Sequence, residues 1–303
     1  MLIASFFKDS KTVRSLFHWT FNQNARVISY ISIHGKDARL DSLQKSAVGC
    51  KTMILTVAFN HTELISKQIE WVKKHIKDDD YQHVVIDNSP DKQKRLEIKA
   101  ICNANKIMYV PVPRYIERCC IHKLFYGGIS HAGALNWMFY HYLNQIQPKF
   151  FILLDHDIFP LCECNLAETI GDRDFYGVPR IKDHGWYLWP GWSLFRYSFI
   201  ADKKPDFMPV YIHGTYLDAG GSAFYNVYSH YDYKKVDFPA VETKRIKQTK
   251  GLTRYNDIYH SDCIQIIDKK WIHLINGSNC ANIPGKEKIV DKLLQNLHIF
   301  QPQ

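Results

Sequence analysis

No run of about 18 apolar residues occurs in the 303-residue chain, so nothing in it reads as a membrane-spanning helix. The opening MLIASFFKDSKTVRS also lacks the long apolar stretch of a secretory leader. The expected location is the cytoplasm, either free of a membrane or peripheral to one. Eight cysteines are present, at 50, 102, 119, 120, 162, 164, 263 and 280, but no two have CxxC spacing. That excludes the common zinc-knuckle and dithiol motifs and predicts thiols in a reducing compartment. Internal repeats and low-complexity linkers are absent. A formal charge of +9 comes without any recognisable nucleic-acid motif, so the expected anions are nucleotide phosphates or lipid headgroups, and no nucleic acid.

What is present centres on Lys149–Phe159, KFFILLDHDIF. The apolar run Phe150–Leu154 is short, aromatic and unbroken, which suits a buried strand. It stops at Asp155 and Asp157. Two carboxylates closing a core strand are costly unless partnered. Either they open a turn, or they hold a divalent cation at the carboxyl edge of an open α/β sheet, where such sheets bind ligands. Oxygen donors favour Mg²⁺ or Mn²⁺, and these ions commonly hold phosphates.

The surrounding chain fits that sheet. Thr52–Ala58 and His83–Ile86 read as strands, the second stopping at Asp87, and Ile107–Val110 reads as a third. A helix with Ile65, Ile69, Val72 and Ile76 on one face separates the first two. Asn88-Ser89-Pro90 is expected to cap the next helix. Asp78-Asp79-Asp80 reads as a solvated loop. Ser130–Ile146 is the clearest helical pattern, and Asn136 within it is either a satisfied polar residue or one facing the site. Strands alternating with helices over about a hundred residues predict a mainly parallel sheet. Thr12–Phe21 reads as a short helix and Arg26–Ile33 as a strand. The predicted organisation is an N-terminal extension over 1–50 packed on a main domain with a first half over 51–180 and a second half over 181–303. Asp174–Pro179 is a further strand candidate. Gly185–Arg196, GWYLWPGWSLFR, carries three Trp, and the basic run Lys244–Arg254 is either a solvated face or a loop that closes over a ligand.

The ordered set of the first strand, the Asp87 strand end, HAGALN, LLDHD and WIHLINGS resembles the GT-A glycosyltransferases, in the style of their family 2-like members, over roughly residues 52–279. The resemblance implies a GT-A (Rossmann-like) α/β fold. It also implies a metal-dependent glycosyltransferase that moves a sugar from a UDP- or GDP-sugar to a glycan or lipid-linked acceptor. On this reading Thr56, Ala58 and Asn60 line the nucleoside pocket, Asp87 accepts hydrogen bonds from base or ribose, and Asn136 faces the nucleotide. Asp155 faces ribose and metal, while Asp157 and His273 are metal ligands for Mn²⁺ or Mg²⁺. An inverting transfer needs a general base. Asp218 in LDAGG is the first candidate, with Gly220 letting the sugar approach closely, and Asp262 is the reserve. The acidic pair usual in that region of the family is missing here. Trp189 and Trp192 are the candidates for stacking on sugar rings. Two other readings stand beside this one. A sugar-phosphate nucleotidyltransferase would carry a glycine-rich loop after the first strand, where this chain has AFNHTE. A non-catalytic glycan-binding protein would keep the fold and the aromatics but ignore chelator and nucleotide.

Overall fold

The computed structural model describes residues 11–35, 50–119, 126–245, 263–277, 280 and 285–302. Six strands form the main sheet in the order β3-β2-β1-β4-β7-β6. These are β1 (Thr52–Ala58), β2 (Tyr81–Asp87), β3 (Met108–Pro111), β4 (Phe150–Asp155), β6 (Phe175–Lys182) and β7 (Gly185–Arg196). The first four run parallel, and β7 lies antiparallel between β4 and β6. All seven residues of β1 and the first five of β4 are buried, as strands covered on both faces must be. Each large apolar side chain so buried contributes about 1.5–3 kcal/mol.

Helices cover the sheet on both sides. On one face α2 (Thr62–His75) and α3 (Lys92–Ala104) pack Ile65, Ile69, Ile98 and Cys102 against Ala58 and Val85. On the other, α4 (Tyr126–Trp137) and the π-helical turn Met138–Leu143 pack Leu135, Met138 and Phe139 against Leu55, Val57 and Leu153. The α3 start differs from expectation. Asp91, not the Asn88–Pro90 segment, caps it, accepting from the backbone N–H groups of Gln93 and Lys94. Nor is Asp78 solvated. It is buried and accepts from the N–H groups of Leu166 and Ala167, opening the short helix α5 (Leu166–Ile170).

The N-terminal segment is the largest correction. Lys11–His34 is one helix, α1, and the strand expected over 26–33 does not form. Its β-branched residues favour a strand locally, but Phe21, Ala25 and Ile28 fall on one helical face and pack with Ile129 and Ala132 of α4. The Trp-rich segment 185–196 is a long strand with Trp189 and Pro190 in the lining of a cleft. It lies deep in the main sheet, with Leu154 opposite Trp192.

A second sheet, β10-β11-β12-β5, grows out of the DHD turn. Its strands are β5 (Ile158–Pro160), β10 (Val241–Arg245), β11 (Cys263–Ile267) and β12 (Trp271–Leu274). His273 lies opposite Ile158, and Leu274 N–H donates to the Asp157 carbonyl. The helix α6 (Lys286–Gln295) closes this sheet with Val290 and Leu293, as its amphipathic pattern predicts. A two-stranded ribbon, β8 (Val210–Ile212) with β9 (Thr215–Leu217), carries the chain to Asp218. Among the described residues no helix is long and apolar enough to cross a membrane.

Candidate active site

Strand order reverses between β1 and β4, because successive connections lead from β1 to β2 and β3 on one side and back to β4 on the other. A parallel sheet leaves a crevice at such a point, outside the carboxyl ends of its strands. A cleft of about 260 Å³ lies there, lined by residues that include Val57, Asn88, His131, Asp155, His156, Trp189 and Asp218.

Three carboxylates each lie against a glycine. A side chain at Gly191 would put its Cβ 2.6 Å from Asp155 Oδ2, one at Gly128 would put it 2.8 Å from Asp218 Oδ1, and one at Gly277 would put it 3.2 Å from Asp157 Oδ2. Only glycine permits backbone that close to each carboxyl group. Asp155 is a quarter exposed, and Asp157 is buried. Burial raises the Asp155 carboxyl well above the usual carboxylate range, and the Asp157 charge raises it further.

Histidines surround these acids. His131 on α4 brings Nε2 to 3.6 Å from Asp155 Oδ1, and burial lowers its pKa to about 4. His273 brings Nε2 to 3.8 Å from Asp157 Oδ1, while its Nδ1 pairs with Gln265 Oε1 at 2.9 Å across the β11–β12 ladder. Burial holds His273 at about 4 as well. Both imidazoles are therefore neutral near pH 7. The Arg180 guanidinium stacks 4.7 Å from the Trp189 ring centroid and interacts with Asp155 and Asp218. Arg180 is joined by the buried Lys286, whose charge reaches His273.

The His273 geometry tests the expected divalent ion. With Nδ1–H given to Gln265, the His273 lone pair sits on Nε2 and faces a carboxylate oxygen, an approach of two electron donors that a cation between them relieves. Among the described residues no three His, Cys, Asp or Glu side chains already form a closed metal cage. Mg²⁺ and Mn²⁺ sites that keep several positions for phosphate oxygens need no such cage. The donor set fits the ion.

The other sequence candidates fall in distinct places. Thr56 points into the protein, donating to Gln68 Oε1 at 2.8 Å and meeting His83 Nε2 at 3.0 Å. Gln68 in turn donates to the carbonyls of Asp155 and Ile158, each at 2.8 Å, so this layer braces the DHD turn from beneath. Ala58 is wholly buried. Asn60 takes a left-handed conformation at φ 59°, and its N–H donates to Ser89 Oγ. Asp87 is buried and accepts from Ser89 N–H and the Tyr109 hydroxyl, so neither bond looks outward. Asn136 bonds Asp206 and the Phe207 N–H, which ties α4 to the 206–208 segment rather than to the cleft. Trp189 lines the cleft, whereas Trp192 is fully buried between Tyr176 and Trp271 and cannot meet a sugar in this conformation. Gly220, at φ +96°, packs a hydrogen-only face on Pro190 and Tyr187 behind the cleft wall. Asp218 is exposed at the rim, with Oδ1 accepting from the Tyr216 hydroxyl and Ala219 N–H. Asp262, Ser278 and residues 246–254 of the basic run lie outside the described residues.

Sequence reasoning missed Asn88, His131, Arg180 and Gln265. Asn88 and His131 carried a visible signal, since one follows a strand end and the other begins the HAGALN motif. Arg180 and Gln265 carried none, because each is an ordinary polar position within a strand.

No protein-family model matches the chain, and no curated protein matches it. Solved structures give partial likenesses. The galactosyltransferase LgtC, in complex with donor and acceptor sugar analogues, is 14% identical at a TM-score of 0.36, over 48% of this chain and 58% of that one. The mannosyltransferase PcManGT from Pyrobaculum calidifontis, in complex with GDP-Man and Mn²⁺, is 12% identical at 0.36, over 63% and 56%. The mannosyltransferase Ktr4p from S. cerevisiae is 11% identical at 0.34, over 60% and 66%. The matched region spans less than two thirds of each of these chains. The strand order itself defines an α/β fold with a mainly parallel sheet.

Proposed function

We propose that this protein is a glycosyltransferase that uses Mn²⁺ or Mg²⁺ and moves a sugar from a nucleoside-diphosphate sugar to a hydroxyl acceptor. One observation carries the reading: Asp155, Asp218 and Trp189 line a single cleft at the β1/β4 switch point, with the Asp157–His273 pair beside it.

Asp157 and His273, with Asp155, would hold the cation. When bound, it neutralises charge on the departing diphosphate. Gln265 orients His273 for this, and the Thr56–Gln68 layer fixes the backbone of the DHD turn. Arg180 adds a fixed cation for a developing negative charge in a site partly shielded from water. Asp218 is the base. Both of its side-chain hydrogen bonds fall on Oδ1, which leaves Oδ2 to take the proton of an acceptor hydroxyl as that oxygen attacks the anomeric carbon. Trp189, with one face on Arg180, gives the apolar face of an acceptor sugar a surface to stack on. Transfer through such a base inverts the anomeric centre.

Thermal shift and donor hydrolysis test this together. Wild-type protein with Mn²⁺ and a panel of nucleoside diphosphates should melt higher with at least one of them, and Asp157→Ala should lose the shift while keeping its metal-free melting temperature and circular dichroism. A wild type that ignores every nucleotide with and without metal would sink the proposal.

A further inference from the structure

Eleven large apolar side chains are exposed among the described residues, and four of them form one stripe on α1. Leu16, Trp19, Val27 and Tyr30 are 61%, 60%, 57% and 67% exposed. With Gln23 between them they recur at spacings of three and four, which sets all of them on one face of the helix. At about 1.5 Å per residue the stripe is roughly 20 Å long. Phe21, Ala25 and Ile28 occupy the opposite face and pack with Ile129 and Ala132. The face opposite a packed one is ordinarily polar. Single exposed apolar residues are common on any protein surface, but an aligned set that includes Trp and Tyr marks a contact.

The charge on α1 indicates what that contact is. The helix carries Lys11, Arg14 and Arg26 and no Asp or Glu, in a chain of formal charge +9. A second copy of the same helix would set like charges against one another, which disfavours self-pairing. An anionic surface is favoured by each of these charges. We infer that the outer face of α1 docks on an anionic lipid bilayer. Leu16, Trp19, Val27 and Tyr30 enter the boundary between headgroups and acyl chains, and the exposed Lys11 and Arg26 meet lipid phosphates. Trp and Tyr suit that depth, since each joins an apolar ring to one polar atom. The helix lies in the plane of the interface and does not cross it.

Docking there sets the cleft close to the membrane. The inner side of α1 packs on α4, which carries His131. Asn22 also brackets Tyr211 of β8, its Nδ2 donating to the Tyr211 carbonyl at 3.0 Å and its Oδ1 accepting from the Tyr211 N–H at 2.8 Å. The β8–β9 ribbon leads to Asp218. One helix, about 10–12 Å across, therefore separates the bilayer from elements that bear cleft residues. The inference does not depend on the glycosyl-transfer reading, because binding to lipid is measured without nucleotide.

The experiment is flotation of the full chain with vesicles of phosphatidylcholine alone and of equal parts phosphatidylcholine and phosphatidylglycerol. Wild type should float with the anionic vesicles only. A basic protein adheres to such vesicles through charge alone, so the stripe variants decide. Trp19→Ser combined with Tyr30→Ser should weaken partitioning by about tenfold or more with an unchanged melting temperature. Arg26→Glu should weaken it by about tenfold. Lipids brominated in their acyl chains should quench wild-type fluorescence more than that of Trp19→Phe. The inference is wrong if the full chain ignores anionic vesicles, if it binds neutral ones equally well, or if the double variant binds as tightly as wild type. Equal quenching of wild type and Trp19→Phe would also overturn it. Sedimentation velocity tests the second copy: a wild-type dimer that the double variant dissolves would assign the stripe to self-association instead.

Discussion

His273 Nε2 stands 3.8 Å from Asp157 Oδ1, and Gln265, one strand away, decides that the imidazole meets the carboxylate with its lone pair and not with a proton. A salt bridge would need a charged ring, yet burial holds this one at about 4.

Gln265→Leu should therefore weaken Mn²⁺ binding by about 10–100-fold, the usual cost of losing a partner behind a metal-ligating histidine. The residue touches no part of the cleft lining, so the melting temperature without metal should move little. Manganese titration followed by electron paramagnetic resonance measures it. An unchanged affinity would remove Gln265, and with it the Nε2 lone pair, from the ion's surroundings.

Asp155→Asn should raise metal-free stability and abolish the response to Mn²⁺. The wild-type carboxyl is held above its usual range by burial and by Asp157, so its ionised form burdens the fold near pH 7. Sites that trade stability for function in this way are often stabilised by neutralisation. Urea denaturation with and without Mn²⁺ reads both effects.

The two tryptophans separate cleanly. Trp192→Ala should cost about 3–5 kcal/mol, as expected for emptying a core position between Tyr176 and Trp271. Trp189→Ala should cost far less stability and raise the acceptor KM instead, since its ring lines the cleft. Denaturation midpoints and acceptor kinetics on both variants make the comparison.

Gly128→Ala should lower kcat more than it raises the donor KM. Its Cβ would come 2.8 Å from Asp218 Oδ1 and push the base from its place. Asp218→Asn should abolish transfer yet leave binding of nucleoside diphosphate and Mn²⁺ in calorimetry. Transfer that survives Asp218→Asn would return the base to Asp262 or to a different mechanism.

His83 gives the clearest acid sensitivity away from the site. It is buried, its Nε2 meets Thr56 Oγ1, and burial lowers its pKa to about 3 against 6.5 in a model peptide. The unfolded chain then binds the extra proton first as pH falls below 6.5. Stability is full above that value and drains away towards pH 3, with a slope of up to about 1.4 kcal/mol per pH unit from this group. His83→Met should flatten the slope between pH 6 and 4, as urea titrations across that window would show.

The sequence alone was enough to place the parallel half of the sheet. Its strands are short apolar runs punctuated by carboxylates, and its helices carry one apolar face, so periodicity and length decide between them. Acids at a strand end break the local rule and drew Asp155 and Asp157 out of the sequence, whereas His273 was reached through the resemblance to GT-A enzymes. Tertiary structure decided the rest. Residues 26–33 are rich in β-branched side chains but fold as helix, because packing on α4 outweighs a propensity of a few tenths of a kcal/mol per residue. Trp189 and Trp192 are three residues apart in one strand, and the sheet alone sets the first in the cleft wall and the second in the core. Asn88, His131, Arg180 and Gln265 come from four separate parts of the chain, and no spacing along it could show that the fold brings Asn88 and His131 to the cleft lining, Arg180 to Trp189 and Gln265 to His273. A local pattern reports what one residue does to its neighbours in sequence, whereas a site is made by neighbours that only the closed sheet brings together.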